Sequence, residues 1–194
     1  RDCGSTLRRV VLFTGMMCIV GFFHPGLAPL IAAQELGTDP MDLGLFTSVL
    51  ALGSIAGGIV LQRNSHSFCR RPSLTLAGFG LVTAVAQLGM ARGGSISFIL
   101  LMTFLIGAGT AGLLSSSNLI TQVGSNQILR GRMAGLSQIA FLGGGGISGL
   151  IAAQLSISVG LPTTFAITGG IGVVLALVEI RRRGGTVLTE IKSV

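Results

Sequence analysis

Tryptophan and tyrosine are absent from this chain, and only 10% of its 194 residues are charged. Soluble domains carry about 25% charged residues, so too few are present to cover a water-facing surface. The apolar share of 49% and the mean hydropathy of +0.82 place the chain in hydrocarbon before any motif is considered. Lack of Trp and Tyr removes the aromatic belts that usually hold helices at the membrane surface, and leaves that anchoring to arginine. The chain has 6 acidic residues, none of them deep within an apolar run. Proton coupling therefore needs His24 or groups outside this chain. Cys18 lies in an apolar run, while Cys3 and Cys69 fall on the side read below as reducing, so no disulfide is expected. His66 and Cys69 are too few to make a zinc site, and neither a metal nor another cofactor is expected. The sequence has no H-E-x-x-H, no G-x-S-x-G and no intramembrane pair of aspartates, and the serines at 115–117 have no base placed beside them. An enzyme is not expected, and no filter motif points to a channel.

Long uncharged runs are what the chain has instead. A bilayer core of about 30 Å takes about 20 apolar residues in a helix rising 1.5 Å per residue. The runs 10–34, 43–62 and 72–91 each suffice for one crossing, and 93–129 gives one crossing at about 96–118 with a polar extension. The run 133–178 spans about 69 Å if helical throughout, so it must turn. A turn at 156–162 yields two helices, 133–156 and 162–180. The expected fold is thus all-α, one membrane bundle of six helices (about 10–34, 41–62, 72–91, 96–118, 133–156 and 162–180) with a tail at 181–194. Pro40, Pro72 and Pro162 start helices, where a missing N–H costs nothing, and Asp39 is a candidate N-cap. Pro25 and Pro29 lie inside the first crossing, where they should kink it and free backbone carbonyls.

Orientation follows from the cations. Of the 13 Lys and Arg, all but Arg92 fall on one side of a six-crossing topology. That side is expected to be cytoplasmic and to hold both termini. The same asymmetry accounts for the net charge of +7 without nucleic acid; the lipid bilayer is the partner implied. Glu35, Asp39 and Asp42 cluster in the first outer loop. Ala140, Gly144, Ser148 and Ala152 form a small-residue stripe on the fifth helix, with Gly145, Gly149 and Ala153 beside it; Gly53 and Gly57 do the same on the second. Such stripes permit close helix packing, and the four glycines at 143–146 weaken the helix enough to suggest a hinge at Gly144 and Gly145.

Two segments carry a resemblance. Gly58, Gln62 and Arg63, followed by Arg70 and Arg71, resemble the G-x-x-x-D-R-x-G-R-R loop of the major facilitator superfamily. Gln62 stands where an acidic residue is usual, and 64–69 lengthen the loop. Asn118 and Gln122, then Arg130-Gly131-Arg132 and Gly135-Leu136, resemble a segment of the bacterial branch that includes the enterobactin exporter and related secretion effectors. Asn126 and Gln127 there replace acidic residues, and a proline is missing. The resemblance covers essentially the whole chain as helices seven to twelve of a twelve-helix transporter. It implies an inverted three-plus-three repeat and a preceding N-terminal six-helix half as partner, which suits a chain opening on Arg1 without a signal-peptide cleavage site. It also implies alternating access, with a small amphiphilic molecule, drug- or siderophore-like, exported across the bacterial cytoplasmic membrane.

Within that frame His24, Thr103, Thr110, Ser117, Asn118 and Gln138 are candidate pathway residues, since polar groups at membrane depth turn toward protein or a cavity. For His24 the plain alternative is a neutral ring bonded to a carbonyl freed by Pro25 or Pro29; for the fourth helix it is hydrogen bonding between helices. Gly58, Gln62, Arg63, Arg70, Arg71, Arg130, Gly131 and Arg132 are candidates for a cytoplasmic gate, set against simple charge anchoring. The competing reading of the whole chain is an inactive half-transporter or a membrane assembly protein. Topology reporters fused after Arg63 and after Lys192 are expected to report one and the same side, and a reporter after Arg92 the other.

Overall fold

The computed structural model describes residues 2–37, 39–64, 72–124 and 130–181. Among the described residues, seven helices make six crossings: α1 (Asp2–Gly21) and α2 (His24–Glu35) share the first, followed by α3 (Pro40–Arg63), α4 (Pro72–Arg92), α5 (Ile96–Gly124), α6 (Arg130–Val159) and α7 (Leu161–Arg181). All six are long and apolar enough to cross a membrane, and the protein is an all-α polytopic bundle.

The first crossing departs from a single kinked helix. It breaks at Phe22 and Phe23, ahead of both prolines. Phe22 N–H closes α1 on the Cys18 carbonyl, and Gly26 and Leu27 N–H both open α2 on the Phe23 carbonyl. The cause is local. Pro25 has no N–H for the Gly21 carbonyl four residues back, so the ladder fails a turn before the proline itself. Pro29 then sits inside α2 without interrupting it. Pro40 begins α3 as expected, with Asp39 extended at the N-cap position (ψ 142°), but the Asp39 side chain makes no capping bond. The turn expected at 156–162 is Gly160 alone, with φ of +85°, a left-handed value that favours glycine. Helix α6 continues unbroken through 143–146; Gly144 lies against Cys18 and the Gly15 carbonyl, and Gly145 against the Phe22 ring.

Packing repeats across the two halves of the bundle. The second crossing, α3, lies along the fourth, α5, as the fifth, α6, lies along the first, α1. The third packs on the fourth as the sixth packs on the first, and the third and sixth, α4 and α7, pair with each other. This is the contact pattern of a three-helix unit repeated with inverted direction, because the first and fourth crossings run oppositely. Two apolar clusters lie at different depths. One gathers Phe23, Ile31, Phe46, Met90, Ile99 and Phe165 toward the end bearing Arg92. The other gathers Val10, Phe13, Met17, Leu76, Leu113 and Ile120 toward the arginine-rich end.

Lipid chains are as apolar as leucine, so helices meet here by close approach and polar contacts rather than by escape from solvent. Backbones of α3 and α5 come close enough that a Cβ on Gly53 would overlap the Phe104 carbonyl and one on Gly57 the Ala108 carbonyl. Ser54 adds a hydrogen bond to the Gly107 carbonyl across the same seam, 3.4 Å. Replacing Gly57 by leucine is expected to cost about 1–3 kcal/mol through overpacking. Gly44→Leu on the same helix, where a side chain meets open space, should stay within about 0.5 kcal/mol. Unfolding of the purified protein in mixed micelles measures both.

Candidate functional site

The break in the first crossing is fixed from three sides. Phe22 stacks on Phe141 of α6 with ring centroids 4.5 Å apart, and Phe23 on Phe165 of α7 at 5.2 Å. The two consecutive rings thus reach different helices. The third tie is polar. Gln87 of α4 donates from Nε2 to the Gly21 carbonyl at 3.0 Å, between fully buried groups. That carbonyl is the acceptor Pro25 leaves empty. In hydrocarbon an unmet backbone group costs several kcal/mol, so Gln87 makes the break tolerable. Gln87 is a site residue that the sequence reading did not single out. The signal was there in principle: a proline at 25 orphans the carbonyl at 21, and a long amide on another helix can reach it.

His24 begins α2 immediately after the break. It is only 2% exposed, yet neither ring nitrogen has a hydrogen-bond partner. The imidazole packs beside Phe23 at 5.0 Å and Phe22 at 6.3 Å between centroids. The alternative in which His24 binds a proline-freed carbonyl is therefore not what the structure has, since Gln87 holds that of Gly21. His24 instead lines a cavity of about 250 Å³ with Phe22, Pro25, Leu50, Ser54, Thr110, Ala111 and Leu114. Four elements meet there: the loop at 22–23, α2, α3 and α5. Thr110, singled out with His24 from sequence, is beside it in this cavity, and Ser54 joins them. Ser54 and Thr110 hydroxyls each donate to carbonyls of their own helix, those of Leu50 and Ile106.

Remaining pathway candidates separate. Thr103 is fully buried and donates to the Ile99 carbonyl at 2.9 Å. Ser117 is buried and accepts from the Thr14 hydroxyl of α1 at 2.9 Å, joining the first and fourth crossings. Both sit in the interior of the bundle, Ser117 in a bond between helices and Thr103 in one within its own helix. Gln138 is exposed on α6. Asn118 lines a second cavity of about 450 Å³ at the arginine-rich end, with Gly58, Leu61, Gln62, Ser115, Leu119 and Gln122. The two motif segments, far apart in sequence, thus meet at the ends of α3 and α5. Arg63, Gly131 and Arg132 are exposed at that end. Arg70 and Arg71 lie outside the described residues, as do His66 and Cys69 and the side chain of Arg130.

The chain thus combines six crossings, packing that repeats between its two halves, and a broken first crossing beside a largely apolar cavity with three polar side chains. The family model described as Major Facilitator Superfamily matches residues 10–188, and the chain belongs to that superfamily of membrane transporters. Comparison with curated proteins and with solved structures gives no match.

Gln87→Leu leaves the Gly21 carbonyl without a donor and is expected to destabilise the fold by about 1–3 kcal/mol. Gln154→Leu, at an exposed position of α6, should change it by less than about 0.5 kcal/mol. Thermal unfolding in detergent discriminates the two.

Proposed function

We propose that this chain is the C-terminal half of a secondary transporter that moves a small amphiphilic molecule, drug- or siderophore-like, out of the cell by alternating access. The observation that carries the reading is the break at Phe22 and Phe23, which sets the unpartnered His24 into a cavity between α3 and α5. Discontinuous helices beside a buried site are how transporters expose polar groups at membrane depth. Irregular backbone is tolerated there only where it lines a cavity or is buried in protein. The arginine-rich end, with Arg63 and Arg132 exposed there, is the cytoplasmic gate, and Arg70, Arg71 and Arg130 belong to it by their place in the two motif segments. Its cations suit the carbonyl-bearing C-termini of helices in the N-terminal half. Helices α3 and α6, the least buried crossings, are the faces left for that half and for lipid. Both termini are cytoplasmic and the membrane is the bacterial inner membrane.

Labelling of Thr110→Cys by an impermeant maleimide, from either side of oriented vesicles, is expected to change when a proton gradient is imposed or a transported compound is added. Labelling that stays constant under all such conditions would count against alternating access at this site. In a transport assay His24→Ala is expected to lower the rate about tenfold or more; an unchanged rate and pH profile would remove His24 from the pathway.

A further inference from the structure

The chemistry of the His24 cavity narrows what it can hold. A neutral imidazole carries one N–H donor and one nitrogen acceptor, and the neutral ring is the form an apolar wall tolerates. Both nitrogens are buried and unpartnered. Ser54 and Thr110 have their single protons directed at backbone carbonyls, of Leu50 at 3.0 Å or Gly107 at 3.4 Å for Ser54, and of Ile106 or Gly107 for Thr110. Each hydroxyl oxygen is left with lone pairs to offer. The polar residues around the cavity therefore hold three acceptors against one donor, among walls otherwise made by Phe22, Pro25, Leu50, Ala111 and Leu114. Among the described residues no charged side chain lines it.

From this imbalance we infer that the cavity binds an uncharged aromatic or aliphatic body bearing a hydroxyl or N–H donor, such as a phenol, and rejects carboxylates. The inference rests on the transport reading and adds to it the class of group recognised. A hydroxyl donates to one of the waiting acceptors and accepts from the imidazole N–H. That removes the penalty of an unmet buried polar group, about 1–3 kcal/mol. An ether can accept but not donate, and so leaves the acceptors unmet. A carboxylate brings only lone pairs to a site rich in them, together with a charge that nothing in the lining offsets. The flat ring of such a body fits against Phe22, whose own ring is held by Phe141.

The test is equilibrium binding of tritiated 2-naphthol to the full-length protein in lipid nanodiscs, with empty nanodiscs subtracted. Saturable binding is expected. Competition by 2-methoxynaphthalene should be at least about tenfold weaker, the factor that about 1.4 kcal/mol supplies, and 2-naphthoate should not compete. His24→Phe should weaken naphthol binding about tenfold while leaving the ether's affinity unchanged. Should that variant fail to fold, Ser54→Ala and Thr110→Val, which keep their helices, should each weaken naphthol binding severalfold. No saturable binding, equal competition by ether and phenol, or naphthol affinity indifferent to every one of these substitutions overturns the inference. If naphthol fails while Thr110→Cys labelling still responds to transport conditions, only the ligand class falls. If the labelling is constant as well, the transport reading falls with it.

Discussion

The irregular first crossing depends on one hydrogen bond, the Gln87 amide on the Gly21 carbonyl. A proline inside a membrane crossing orphans an acceptor where no water can reach it. Unless some other group takes that acceptor, the helix must move until water or protein does. Here a side chain from α4 takes it, and the first crossing can break cleanly into α1 and α2. The break then permits everything around it. Phe22 and Phe23 turn toward α6 and α7, His24 heads a new helix, and a cavity opens between that helix and the seam of α3 and α5.

The surrounding bundle supplies rigidity to that irregular point. Glycines bring α3 against α5 at Gly53, Gly57 and Gly107, and α7 against α4 at Gly169 and Gly172. The Thr14–Ser117 hydrogen bond ties α1 to α5 below the break. The first crossing is thus pinned at Thr14 and again at Gly21, while Phe22 and beyond answer to α6 and α7. These held elements wall the cavity in which His24, Ser54 and Thr110 are set among apolar side chains.

The six crossings were legible because hydrocarbon imposes a crude demand, about 20 uncharged residues in a row, that local detail cannot disguise. The six spans found correspond to the charge-free runs, and the helix starts at Pro40 and Pro72 show the fixed φ of proline acting as expected. The break was less legible, since a missing N–H is felt at its acceptor and not at the proline. A reader who looks at Pro25 looks one turn too late. Gln87 was hidden for a different reason: an amide near a helix end looks the same whether it meets water or a carbonyl 66 residues away. On α5 the polar periodicity was plain, but it could not divide Thr110, which lines the cavity, from Thr103 and Ser117, which are spent on the interior. That division depends on which neighbour each side of the helix meets, and a single helix pattern holds no information about its neighbours.

Gly160 is all that separates α6 from α7. So short a link, with a backbone angle that few other residues accept, leaves the two helices no slack at that end. They form a stiff clip whose tips are joined. If α6 tilts, its far end near Arg132 can swing widely, while its near end must stay beside Leu161, itself buried in the apolar cluster with Phe23 and Phe165. Motion of this hairpin would therefore be a pivot, with its fulcrum at the Arg92 side and its sweep at the side where the arginines gather.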